Sequence, residues 1–214
     1  AKAAGHVRQI SFWVAAVQLA AVLALGIPGQ AAMGLFGPAF AAGVTVLAVL
    51  LTVELFAAQA AVAEGALIYV ARNANLMWSV IGLAVQAGLS LLLVPMAGPL
   101  GGGVGAALAL AIAALLQSVA KSRLLQARLG YAVSGWRPSL LLAGIPAFGV
   151  GLLVLRTPEP IQLSIGFFAI LGSYGLIIWR FGFKGADRLL FARGLKKIED
   201  EAASLPLPLP VDKL

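Results

Sequence analysis

Long apolar runs, broken only by short polar connections, constrain this chain more than any other feature of its sequence. A helix must offer ~20 mostly apolar residues to cross ~30 Å of hydrocarbon, because every backbone amide has to be paired within the segment. Six stretches approach that length: residues 10–27, 43–62, 76–96, 104–119, 138–155 and 161–179. The reading is an all-α fold, a polytopic membrane bundle of six transmembrane helices over residues 1–180, followed by a segment of different character over 181–214. Composition agrees, since 61% of residues are hydrophobic and 11% charged, far from the balance of a water-soluble domain. Before Lys121 the charged side chains are Lys2, Arg8, Glu54, Glu64 and Arg72, too few to solvate a surface.

Lys and Arg accumulate in short loops on the cytoplasmic side, which orients the spans. Lys2 and Arg8 precede the first span, Arg72 follows the second, and Lys121, Arg123, Arg128 and Arg137 follow the fourth. The connection at 28–42 carries no charge, and the one after the fifth span sets Arg156 against Glu159. This alternation predicts cytoplasmic termini and six crossings. Trp13, Trp78, Trp136 and Trp179 all fall at the predicted cytoplasmic ends, where an amphipathic ring prefers the headgroup level. After Arg180 the stretch "KGADRLLFARGLKKIEDEAAS" places Leu189, Leu190, Phe191, Leu195 and Ile198 at helical spacing among charges, the pattern of an amphipathic surface helix. The "LPLPLP" that follows lacks the amide donors to continue it.

Several function classes drop out. The chain has no cysteine and one histidine, which leaves no thiol nucleophile, no metal cluster and no histidine-based triad. No metal or cofactor is expected, and no enzyme activity. The net charge of +7 is divided among separate loops and is not the single patch that would indicate nucleic acid. "GGGVGAA" formally matches a dinucleotide fingerprint but lies in no strand–helix unit; its glycines are expected to turn the hairpin between the third and fourth spans. Gly101, Gly105, Ala109 and Ala113 then present a smooth face for helix packing. The "LGSYG" of residues 171–175 has no base within the membrane to activate its serine.

Glu54, midway along the second span, is the most informative residue, because a carboxylate at bilayer centre costs ~2.5–3.5 kcal/mol unless it faces protein or water. It either binds a proton or cation during transport, or is a protonated acid bonded across a helix interface to Gln18 or Gln86. Glu64, nearer the cytoplasmic end, is expected to pair with Arg72. Gln18, Gln59, Gln86 and Gln117 line a hydrophilic path or bond between helices; sequence does not separate these. Arg72, Lys121 and Arg123 are placed on the inner rim.

Three stretches, "LFGPAFAAG" (35–43), a helix ending in "ARN" (71–73) and "LLLVPMAGPLGGGVGAALALAIA" (91–113), together with the tail "GADRLLFARGLKK" (185–197), resemble the C-terminal half of polysaccharide and lipid-linked oligosaccharide flippases of the multidrug/oligosaccharidyl-lipid/polysaccharide exporter superfamily. The resemblance implies a bacterial inner-membrane protein that rocks against a second, N-terminal helix bundle, absent from this chain, about a cavity holding a lipid-linked glycan. It also implies ion coupling, for which Glu54 is the candidate. Basic groups for a pyrophosphate-linked substrate would come from the absent half or from Arg72, Lys121 and Arg123. Two other readings stand beside it: a multidrug exporter of the same superfamily, and a non-transporting membrane scaffold.

Overall fold

The computed structural model describes residues 2–96, 98–183 and 187, and the described residues are helical apart from short connections. The chain runs through α1 (Lys2–Gly26), two short helices α2 (Gly29–Gly34) and α3 (Pro38–Ala41), then α4 (Val44–Val70), α5 (Arg72–Met96), α6 (Gly98–Leu129) and α7 (Pro138–Val154). The last rod begins with α8 (Glu159–Ile161), passes through a π-helical turn into α9 (Phe167–Ile177), and ends in a second π turn at Ile178–Gly182.

Among the described residues, five helical segments are long and apolar enough to cross a membrane: Ala4–Gly26, Val44–Val70, Arg72–Met96, Gly102–Leu129 and Glu159–Gly182. The fifth apolar run of the sequence folds as α7, 17 residues long. At 1.5 Å per residue it spans about 25 Å, short of the ~30 Å hydrocarbon layer. Against the expected six crossings, the described residues give five helices of full spanning length and one short apolar helix, α7. The expected amphipathic helix and the Pro-rich tail lie outside the described residues, Asp187 excepted.

The helices outrun the apolar windows, and the reason is physical. The fourth run ends at Val119, yet α6 continues to Leu129, since "KSRLLQARL" consists largely of good helix formers. Gly130, in the left-handed region at φ 71°, terminates it. The glycine-rich stretch expected to form a turn belongs instead to α6, which starts at Gly98. Proline is tolerated in a first turn, and a backbone in lipid has no better option than to pair its amides helically. The uncharged 28–42 connection, expected as a loop, holds α2 and α3, separated by Gly37 at φ 114°.

α1 is the hub. It packs against α4 on one side and against α7 and α9 on the other, while α6 lies between α4 and α5. Small residues permit the close approaches: Ala15, Ala16 and Ala24 of α1 share a buried core with Ala143 and Ala147 of α7, joined by Leu140, Ile170 and Tyr174. In the α5–α6 seam, a Cβ at Gly105 would lie 2.5 Å from the Leu93 carbonyl oxygen, so no side chain fits there. Gln59 donates to the Ser11 carbonyl at 2.9 Å and ties α4 to α1.

The two ends of the bundle differ. At one end Ala4, Leu67, Leu125 and Val133 form a small core joining α1, α4, α6 and the connection into α7. Arg8, Arg72, Arg123, Arg128 and Arg137 belong to the same end of these helices and their connections. The opposite end carries α2, α3 and the turn after α7, and Glu159 comes near Gly34 there.

Candidate functional site

Residues of α4, α5 and α6 enclose a cavity of ≈ 340 Å³, lined by Glu54, Ala57, Ala61 and Glu64 from α4, Ser79 and Gln86 from α5, and Leu110, Ala113, Gln117 and Lys121 from α6, among others. That size falls within the ~300–1,000 Å³ of small-ligand sites. The cavity exists because α6 presents alanines toward α4: Ala113 and Ala114 are buried, yet too short to fill the space.

The charged end of the cavity is built around Lys121. Its ammonium donates to Glu64 Oε2 at 2.7 Å and to Ser79 Oγ at 3.0 Å, and its side chain is 3% exposed against 41% for Glu64. A lysine is desolvated to that degree only when its charge is matched, and the carboxylate and hydroxyl supply the match. Helical periodicity puts Lys121 on the cavity face together with Gln117 and Ala114.

Glu54 lies ten residues before Glu64 on α4, about 15 Å along the axis. It lines the same cavity and is exposed there, and among the described residues no donor reaches it. Gln86 and Gln117 stand between the two carboxylates. Gln117 folds over Gly82, where any side chain would collide with it, and its buried Oε1 has no partner among the described residues. The cavity therefore holds one matched ion pair with the Ser79 hydroxyl beside it, one further carboxylate and two amides in an otherwise apolar wall. This arrangement can accept a proton or a cation at Glu54, and can hydrogen-bond a polar guest along its length.

Of the sequence candidates, Glu54, Glu64, Gln86, Gln117 and Lys121 meet in this cavity. Others do not. Gln59 is committed to Ser11 on the α1 side, and Gln18 is half-buried on α1 away from the cavity lining. Arg72 is exposed at the start of α5 and does not pair with Glu64, whose partner is Lys121. Lys121 is accordingly a buried residue within α6, which corrects its expected place in the connection after the fourth span. Arg123 is exposed on a different groove, with Trp78.

Sequence reasoning missed a second polar site. Asp187, expected on a solvated amphipathic helix, is 1% exposed. Its Oδ1 accepts from Gln9 Nε2 at 2.7 Å and Trp13 Nε1 at 3.2 Å, and its Oδ2 from an Arg137 guanidinium nitrogen at 3.1 Å. Arg137 also donates to the Gly182 carbonyl at 3.1 Å and stacks on Phe12 with its guanidinium carbon 3.9 Å from the ring centroid. This clasp joins α1, the entry to α7 and the end of the last rod. Ser79 was missed as well; as an uncharged residue near a helix start it gives no sequence signal until Lys121 is placed beside it.

No protein-family profile, curated protein or solved structure matches this chain.

Proposed function

We propose that this chain is one helical lobe of an ion-coupled membrane transporter that moves lipid-linked glycans by alternating access, with six crossings and cytoplasmic termini. The observation that carries the reading is the cavity among α4, α5 and α6, in which Glu54 and a matched Glu64–Lys121 pair face each other along a wall of alanines and glutamines. Burying ionisable groups among lipid-spanning helices is expensive, and function is the usual reason they persist.

The short α7 completes the sixth crossing by local thinning of the bilayer around it. The end that carries Arg8, Arg72, Arg123, Arg128 and Arg137 is then the cytoplasmic one, and Trp78 and Trp136 lie at that level with Trp13 and Trp179. In this orientation the Glu64–Lys121 pair stands near the cytoplasmic mouth and Glu54 deeper in the membrane. Protonation or cation binding at Glu54 neutralises the carboxylate that lacks a partner, which lowers the cost of closing the cavity around it. Closing and opening against a second bundle is the step that ion binding would bias.

The cavity lining favours a glycan over an aromatic drug. Its polar groups include amides, carboxylates and a hydroxyl, all partners for sugar hydroxyls, and among the described residues no aromatic ring lines it to stack a planar cation. Of the three basic rim residues, Lys121 alone lines it, and its charge is already neutralised by Glu64. Recognition of a pyrophosphate therefore falls to the partner bundle.

The test is Glu54→Gln in the full-length protein, assayed for glycan export in cells. Export driven by the ion gradient is lost while the protein inserts and accumulates normally; export at the unsubstituted level would refute the coupling role.

A further inference from the structure

We propose that a groove between α5 and α6, which no residue of α4 lines, binds an anionic phospholipid of the leaflet at the charged end of the bundle. The groove has a volume of ≈ 450 Å³ and is lined by Trp78, Leu116, Val119, Ala120, Arg123 and Leu124. It shares no residue with the α4–α5–α6 cavity and does not depend on the transport reading.

The lining divides by chemistry along the axis of α6. Leu116, Val119 and Ala120 form an apolar trough nearer the middle of the helix, with Leu116 37% and Val119 41% exposed, so an acyl chain can lie against them. One turn further toward the helix end is Arg123, exposed, and among the described residues no carboxylate pairs with it. Trp78 closes the groove from α5, and an indole there offers an N–H donor at headgroup depth with an apolar body below it.

A phospholipid has the same division: a phosphate at the interface and hydrocarbon beneath it. The guanidinium matches a phosphate with two parallel N–H donors, which a hydrated ammonium does not. Alanine at position 120 leaves the depth that the chain requires. Charge selects the headgroup. Arg72 and Arg128 are also exposed at this end, so the local field is positive and a net-anionic lipid is held over a zwitterionic one.

The test uses the whole chain purified in detergent and titrated with phosphatidylglycerol or phosphatidylcholine, with retained lipid counted by native mass spectrometry. Phosphatidylglycerol is retained in preference. Arg123→Gln lowers its retention about five-fold, the ratio expected for one basic residue at an anionic surface. Arg123→Lys keeps most of the preference, and Arg128→Gln, which removes a charge from the surrounding field but none from the groove lining, lowers retention by less than Arg123→Gln does. Ala120→Phe fills the trough with the charge intact and also loses the lipid; should that variant fail to fold, the Arg123 pair still decides. Excess glycerol phosphate does not displace the lipid, because the headgroup alone lacks the apolar contact. Equal retention of the two lipids, unchanged retention in Arg123→Gln, or displacement by glycerol phosphate would overturn the proposal.

Discussion

Lys121 and Glu64 form one ion pair, yet the two ends of it are in different surroundings, and this asymmetry makes a prediction. Lys121 is nearly inaccessible at 3% while Glu64 is 41% exposed. Glu64→Gln leaves a desolvated ammonium with only neutral oxygens to accept from it, whereas Lys121→Met leaves a carboxylate that water can reach. Breaking a fully buried pair costs ~3–5 kcal/mol, and discounting for the exposure of Glu64 brings Glu64→Gln to about 1–3 kcal/mol. Thermal unfolding in detergent should show Glu64→Gln as the less stable of the two variants; the reverse order would mean that the pair is not where the ammonium is satisfied. Sequence alone signalled that Glu54 and Glu64 matter, because a carboxylate in an apolar run is conspicuous. It did not give their partners. Lys121 was hidden because a hydropathy window ends at the first charge, although the helix does not, and Asp187 because Arg137 and Asp187 are 50 residues apart and no periodicity links them.

At the scale of elements, the helices were legible where apolar residues run continuously, and their ends were not. Helix ends are set by local capping and by Gly130, not by where hydropathy falls. The α5–α6 hairpin shows how packing replaces composition as the guide: a glycine-rich stretch reads as a turn, but Gly105 is required because two backbones touch. Gly105→Val forces the seam apart against the Leu93 backbone and costs about 1–3 kcal/mol, the typical penalty of overpacking. Gly88→Ala, on α5, meets nothing within 4 Å and serves as the control. Loss of melting temperature in the first variant and not the second checks this; equal behaviour would show that α5 and α6 are not in close contact. The two polar features of this region are distinct, since the cavity is lined from α4, α5 and α6 and the Trp78–Arg123 groove from α5 and α6 alone, with no residue in common.

For the whole molecule, arginines gather at one end of the bundle while Arg156 and Glu159 lie at the other, the exterior is apolar, and a polar cavity is offset to one side of α1. Ile112, Leu115, Leu83 and Leu91 are among many large apolar side chains left exposed by the fold, as lipid-facing residues are. Class and approximate span number were readable from the sequence because lipid imposes them; the position of the cavity was not, because it depends on which helices are neighbours in space. The central claim is that water enters this cavity while the surrounding helix faces meet hydrocarbon. The chain has no native cysteine, so single cysteines can be introduced cleanly. Ala61→Cys lines the cavity and Leu115→Cys faces outward, and both positions are exposed in the bare fold, so only the surrounding medium distinguishes them. In native membranes a water-soluble, charged maleimide should label position 61 and spare position 115; equal labelling of both, or of neither, would contradict the account.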